Sequence, residues 1–135
     1  MKRMICLFIL LALVLTGCGG GGDTSEVQII TGESEIFAHR EIEEAMEAAM
    51  DYFRKEFEGC TMTKITYDEE KSSAAAKEWA RQYGADEGIV LYSSFDVDAS
   101  GGDGSLNPNS TYSNWQRILT RDTDGEWVLR TWGYG

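Results

Sequence analysis

The stretch that decides the fold is residues 39–58, HREIEEAMEAAMDYFRKEFE. Its apolar side chains recur at steps of four, three, four and four, which places them on one face of a helix: Ile42, Met46, Ala49, Phe53 and Phe57. Acidic residues crowd the start of this stretch and Arg54 and Lys55 lie near its end, as the helix dipole favours. Gly59 is placed to let the chain leave in a left-handed conformation. We therefore predict a long helix over residues 39–58 that packs on the rest of the domain.

A strand and a second helix are predicted next. Residues 60–67, CTMTKITY, are rich in β-branched side chains and alternate loosely, as a strand does. Residues 68–71 form a charged turn, and Ser72 or Ser73 can cap a second helix that ends at Gly84. The apolar side of this helix consists of Ala76, Trp79, Ala80 and Tyr83.

Three further strands are predicted, at residues 89–97, 112–122 and 126–134. The first carries apolar groups on both faces near its start, which is typical of a central strand. Asp124 and Gly125 indicate a tight hairpin between the other two. Together these elements predict an α+β fold, in which both helices pack on a curved, mostly antiparallel sheet of about four strands.

This order of elements resembles the cystatin-like and nuclear transport factor 2-like folds, in which a curved antiparallel sheet wraps a long helix. The segments 115–119, WQRIL, and 125–129, GEWVL, also resemble the last hairpin of small uncharacterised lipoproteins of Gram-positive bacteria with that fold. The resemblance covers roughly residues 39–133. It rests on aromatic packing positions, so it brings no family active site to this chain.

The amino terminus indicates export and anchoring. Lys2 and Arg3 precede an apolar run over residues 4–14, which is too short to span a bilayer but is typical of a secretory signal. The following LTGC, residues 15–18, resembles the lipobox of bacterial lipoproteins. The resemblance implies removal of residues 1–17, a diacylglycerol on Cys18, and an outward-facing domain on the cell membrane. The alternative is a plain signal peptide with an incidental cysteine.

The predicted division is therefore a signal at 1–17, a lipidated and flexible glycine-rich tether at 18–36 with a short strand near 27–31, and one domain at 37–135. Cleavage would leave ten Lys and Arg against 23 Asp and Glu, a formal charge of −13. Such a field repels nucleic acid and anionic lipid, so the expected partners are an exported protein or a small ligand. Cys60 would be the one cysteine without lipid, and we predict it to be a small buried apolar residue.

The C-terminal hairpin supplies the candidate ligand site. A two-residue turn at Asp124 and Gly125 would set Arg121 opposite Val128, Leu119 opposite Arg130 and Arg117 opposite Trp132. One face would then carry Trp115, Arg117, Leu119, Arg121, Val128, Arg130, Trp132 and Tyr134, and the other Ile118, Trp127 and Leu129. The proposed ligand-binding residues are Trp115, Arg117, Arg130 and Trp132, with guanidinium groups for an anion and indole rings for an apolar body. Alternatively, the arginines lie along aromatic rings and pair with the domain's many acids.

A second candidate is a calcium loop whose ligands would be Asp96, Asp98, Ser100 and Asp103. The spacing DVDASG at residues 96–101 matches the start of a calcium-binding loop. Position twelve is Asn107 instead of a bidentate Glu, and a strand precedes the loop instead of a helix. The alternative is an ordinary β connection.

The leading hypothesis is a non-enzymatic, lipid-anchored domain that binds a ligand or a protein without a cofactor. No nucleophile elbow, phosphate-binding glycine loop or metal-ligand cluster is evident in the sequence. The alternatives are a small enzyme of the nuclear transport factor 2-like type, with Asp96 and Asp98 as an acid pair, or a calcium-binding surface domain.

The anchoring hypothesis predicts a diacylglycerol on Cys18 as the first residue of the mature chain. Mass spectrometry of the protein extracted from membranes should find this modification and no residue of the segment 1–17. An unmodified Cys18, on protein released freely or kept within the cell, would contradict the prediction.

Overall fold

Two helices and a five-stranded mixed sheet form an α+β domain in a computed structural model, which describes residues 21–102, 104–123 and 125–134. The strands are β1 (Gln28–Ile30), β2 (Cys60–Thr66), β3 (Glu87–Val97), β4 (Thr111–Arg121) and β5 (Val128–Gly133). The helices are α1 (His39–Glu56) and α2 (Glu69–Gln82). The predicted signal peptide and Cys18 lie outside the described residues.

The sheet has the order β1-β2-β3-β4-β5, and β2 to β5 run antiparallel. The short strand predicted near residues 27–31 is confirmed as β1, which pairs in parallel with β2 from Gln28 and Lys64 to Ile30 and Thr66 and so adds a fifth strand to the predicted sheet of about four. Its three residues are all exposed, so they show no alternation of apolar and polar side chains. The prediction of a mostly antiparallel sheet is thus confirmed, with one strand added in parallel at its edge.

Helix α1 covers one face of the sheet and ends two residues earlier than predicted. Near its C-terminal end Phe53 stacks on Phe57 at 5.0 Å between ring centres, and both rings meet Phe95 of β3 edge-on at 5.6 and 5.5 Å. Gly59 leaves the helix with a φ of 76°, as its position predicted. Cys60, also predicted to be buried, belongs to the same core.

Helix α2 starts earlier than predicted and lies on the other side of β3. Asp68 is its N-cap and accepts hydrogen bonds from the backbone N–H groups of Glu70 and Lys71, so the predicted cap at Ser72 or Ser73 is wrong. Ser72 instead is buried, and its hydroxyl accepts a hydrogen bond from the N–H of Val90 at 2.9 Å. Gly88 allows α2 to lie close to β3, because a Cβ at position 88 would be only 2.7 Å from the carbonyl oxygen of Ala76 in α2.

The segment predicted as a flexible tether is held against the domain from Gly22 onward. The N–H of Gly22 donates to the carbonyl of Arg54 at 3.0 Å, and Asp23 exchanges backbone hydrogen bonds with Cys60 and Met62. Further along, the carboxylate of Glu69 accepts hydrogen bonds from the Ser34 hydroxyl and the Glu35 N–H. These partners lie 30 residues or more away in sequence, so composition alone did not indicate them.

The β4–β5 hairpin differs from the predicted register near its turn. Thr120 pairs with Val128 and Leu119 with Leu129, so the predicted pairs of Arg121 with Val128 and of Leu119 with Arg130 are wrong. The loop is longer than two residues, which shifts the register by one. Arg130 is then an extra residue in a bulge, and beyond it Arg117 pairs with Trp132 as predicted.

The position of the α2 cap gives a test of the fold. We expect Asp68→Ala to lower the free energy of unfolding by about 1 kcal/mol, since two backbone donors lose their acceptor. Ser73→Ala is the control, because Ser73 is exposed within the helix and should have almost no effect. Urea denaturation of both variants measures the difference; equal losses would place the cap elsewhere.

Candidate functional site

Three of the four proposed ligand-binding residues, Trp115, Arg117 and Trp132, lie on the sheet face that α1 covers. Trp115 and Arg117 alternate with Ile118 along β4, and Trp132 is the cross-strand partner of Arg117. A bulge next to Asn114, whose φ is 56°, brings Tyr112 to the same face as Trp115, with 5.2 Å between their ring centres. The site therefore lies between the sheet and the C-terminal end of α1.

Arg117 is fully buried, with none of its surface exposed. The central carbon of its guanidinium lies 4.6 Å from the ring centre of Phe57, 5.2 Å from that of Phe53 and 5.5 Å from that of Phe95. Its Nε donates a hydrogen bond to the hydroxyl of Ser93 at 3.0 Å. Three aromatic rings thus enclose the side chain, and the hydrogen bond to Ser93 of β3 fixes its Nε.

The two outer nitrogens of Arg117, Nη1 and Nη2, have no hydrogen-bond partner in the described part of the chain. Burial lowers the pKa of the guanidinium from 12.5 to about 9, while the nearby Cys60 acts in the opposite direction. Arg117 therefore stays cationic at neutral pH. A buried cation with unused donors is costly, and cation–π contacts repay only part of that cost. Such a group is suited to hold an incoming anion.

A cavity of about 360 Å³ lies near this cation, although Arg117 itself does not line it. We call it the indole pocket, since Trp115 and Trp132 form two of its walls; its other lining residues are Tyr52, Glu56, Phe57, Glu58, Gly102, Ser105 and Leu106. The indole N–H of Trp115 is buried and has no partner among the described residues. Phe57 both lines the pocket and contacts Arg117. The volume falls within the range of small-molecule sites.

Arg130 does not belong to this site, so its predicted place beside Arg117 is corrected. Its Nε donates to the hydroxyl of Thr120 at 2.9 Å, and its guanidinium lies over the ring of Tyr83, the residue after α2. Thr120 alternates with the core residue Leu119, which places Arg130 on the opposite face of the sheet. The bulge at Arg130 is the cause, because one extra residue moves a side chain to the other face.

Arg121 matches the alternative interpretation, in which arginines pair with acids. Its Nη2 contacts Glu41 of α1 and its Nε contacts Glu87 of β3, both at 2.6 Å. The hydrogen bond from Arg121 is the largest cause that lowers the pKa of the Glu41 carboxyl. The guanidinium also lies 4.3 Å from the ring centre of Trp127. Arg121 thus joins the hairpin to the start of α1 through two carboxylates, whereas the Nη1 and Nη2 groups of Arg117 have no partner among the described residues.

The sequence did not indicate the pocket residues that come from outside the hairpin. Tyr52, Glu56 and Phe57 come from the end of α1, and Leu106 from the loop between β3 and β4. Phe57 was assigned only to the core, and Glu56 carries no local signal apart from its charge. Their nearness to Trp115 depends on where α1 crosses the sheet.

The proposed calcium ligands form hydrogen bonds with neighbouring residues. Asp98 accepts hydrogen bonds from the N–H and the hydroxyl of Ser100, which lower the pKa of its carboxyl. Asp96 accepts one from Thr111 at 2.7 Å, and both aspartates are exposed. Asp103 lies outside the described residues, and the described ones contain no group of three His, Cys, Asp or Glu that could hold a metal. The calcium site and the acid pair remain untested hypotheses.

Comparisons with known proteins assign neither a family nor a function. No protein-family model, curated protein or solved structure matches the chain. Of the helices that the structure describes, none is both long and apolar enough to cross a membrane.

The contrast between the two core-facing arginines predicts opposite effects on stability. We expect Arg117→Met to raise the free energy of unfolding by about 1–2 kcal/mol, because it removes a buried charge whose donors are unused. Arg121→Met should lower it by about 1–3 kcal/mol, since two carboxylates lose their partner. Chemical denaturation at pH 7 measures both. A loss in Arg117→Met as large as that in Arg121→Met would show that Arg117 serves the fold.

Proposed function

We propose that this protein is a non-enzymatic, membrane-anchored binding domain that holds a small anionic ligand in the indole pocket, with Arg117 as the anion's partner. The observation that carries the proposal is the fully buried Arg117 with two unused nitrogens. Hydrogen bonds between a guanidinium and a carboxylate or phosphate are charge-assisted and often bidentate. An anion bound to Arg117 would therefore provide acceptors for Nη1 and Nη2, which have none among the described residues.

Phe57 is the side chain through which a ligand would reach Arg117. Its side chain lines the pocket, and its ring centre lies 4.6 Å from the central carbon of the guanidinium. Phe57 is the C-cap residue of α1, with a backbone N–H still bonded to the carbonyl of Phe53. In this proposal, a rotation of the Phe57 ring gives a ligand in the pocket access to Nη1 and Nη2. The indole N–H of Trp115 would supply a further donor to the same anion.

The apolar walls of the pocket favour a ligand with a flat or branched apolar body. Trp115 contacts Phe95 at 5.3 Å and Tyr134 at 5.2 Å between ring centres, both edge-on, and these contacts help to hold the indole in place. Trp132 lies 5.0 Å from the ring of Tyr52 and keeps 39% of its surface exposed. An apolar ligand body would cover this exposed indole, which adds hydrophobic free energy to the binding of the anion.

The finer fold and the location belong to the same proposal. The cystatin-like or nuclear transport factor 2-like assignment is supported by α1 crossing one face of a sheet in which β2 to β5 are antiparallel. Anchoring at the outer side of the cell membrane is supported by the resemblance of residues 15–18 to a lipobox. A pocket facing the exterior would meet its ligand outside the cytoplasm.

Binding of a simple apolar anion tests the proposed function. We expect 3-phenylpropionate or phenyl phosphate to change the tryptophan fluorescence saturably, and Arg117→Met to weaken this binding at least about tenfold. Arg117→Lys should retain part of the affinity, because it keeps the charge but loses the planar fork.

Arg130→Met is the matched control, since Arg130 is also an arginine of the hairpin but lies on the opposite face. Its affinity for both probes should equal that of the wild type. Equal weakening by Arg130→Met, or no saturable change with either probe, would contradict the proposed function.

A further inference from the structure

Two exposed glutamates line the indole pocket, and a site for an anion leaves them unexplained; we call the part of the pocket at these two residues its mouth. Glu56 is the last residue of α1 and Glu58 follows two residues later, and both line the pocket and are exposed. The remaining acids of α1 each have a basic side chain within 4.0 Å: Glu41 with Arg121, Glu43 with His39, Glu44 with Arg40, Glu47 with Arg54, and Asp51 with Arg54 and Lys55. In the part of the chain that the structure describes, Glu56 and Glu58 have no such partner.

The aromatic walls near these carboxylates suit a cation. The rings of Tyr52 and Trp132 meet at 5.0 Å with 43° between their planes, and Phe57 meets Trp132 edge-on at 6.1 Å. Faces of tryptophan and tyrosine attract an ammonium group, and the attraction increases as water is removed. The carboxylates of Glu56 and Glu58 also attract an ammonium group. The pocket is therefore complementary to positive charge at Glu56, Glu58 and Trp132, whereas Trp115 and the neighbouring Arg117 offer donors to negative charge.

We infer that the ligand is a zwitterion, an amino acid or short peptide with an apolar side chain, bound with its carboxylate inward and its ammonium group at the mouth. This inference rests on the proposed function and specifies the ligand of the same pocket. The carboxylate bonds to Arg117 and the indole N–H of Trp115. The ammonium group lies against Trp132 and Tyr52 and pairs with Glu56 or Glu58, while the apolar body fills the space between.

The charge of the domain favours this ligand over a simple anion. An anion in the pocket lies near Glu56 and Glu58, which line it, on a protein with a formal net charge of −11. Repulsion from both carboxylates weakens its binding and slows its entry. A zwitterion brings no net charge, and its ammonium group turns that repulsion into attraction at the mouth.

Three probes, each with one aromatic ring, test the contributions of the carboxylate and of the ammonium group to binding separately. Phenylalanine carries both, 3-phenylpropionate carries only the carboxylate, and phenethylamine carries only the ammonium group. Isothermal titration of the full-length protein should give phenylalanine an affinity about tenfold above that of 3-phenylpropionate, the effect of one partly buried charged contact. Phenethylamine should bind more weakly than phenylalanine, because it leaves Arg117 without a partner.

The double variant Glu56→Gln/Glu58→Gln should remove the advantage of phenylalanine and bind 3-phenylpropionate at least as tightly as the wild type. The matched control is Glu43→Gln/Glu44→Gln, which changes the net charge by the same amount but lies in α1 away from the pocket. The control should keep the tenfold preference. A preference lost equally in both double variants would overturn the inference, since it would reflect net charge alone.

The outcomes separate this inference from the proposed function. If 3-phenylpropionate binds as tightly as phenylalanine and still requires Arg117, the anion site stands and the zwitterion is excluded. If phenethylamine equals phenylalanine and Arg117→Met has no effect, both the proposed function and the inference are wrong, because the pocket then binds only cations. If none of the three probes binds at millimolar concentration, both are likewise overturned.

Discussion

The contact between the C-terminal end of α1 and the middle of the sheet is the interaction on which the remaining structure depends. Phe53 and Phe57 stack on each other and meet Phe95 edge-on, and each of the three rings is at least nine-tenths buried. Full burial of one such side chain contributes about 1.5–3 kcal/mol, which is a large share of a small domain's net stability. The same rings enclose Arg117, so the core and the candidate site are built from one cluster.

Because the same cluster forms the core and the candidate site, the charge of Arg117 lowers the stability of the fold. A core formed only for stability would place an apolar side chain at position 117, because a buried charge must be desolvated and its donors satisfied. Arg117 has one hydrogen bond, to Ser93, and lies along three rings, which offsets the cost only in part. Arg121, on the same strand and face, is joined to Glu41 and Glu87 and shows how an arginine stabilises this domain. The difference between them is the physical basis for assigning function to Arg117.

Bulges determine which side chains meet at the pocket. The bulge next to Asn114 brings Tyr112 to the face of Trp115, and the bulge at Arg130 moves that arginine to the face of α2. A shift of one residue moves a side chain to the opposite face, so simple alternation along a strand fails where a bulge intervenes. The pairing of Arg117 with Trp132 agrees with simple counting because the longer loop and the bulge at Arg130 shift the register in opposite directions.

The sequence by itself determined the α+β class, helix α1 and the identity of the buried face, because a period of four and three residues is a local property of the chain. It also located β2 to β5 within two residues of their ends, and it pointed to Trp115, Arg117 and Trp132. Only the tertiary structure decided that β1 joins the sheet, that Asp68 caps α2, that Arg130 leaves the site, and that Tyr52, Glu56 and Glu58 complete the pocket. These features depend on contacts between residues far apart in sequence, and no local period or propensity encodes such distances.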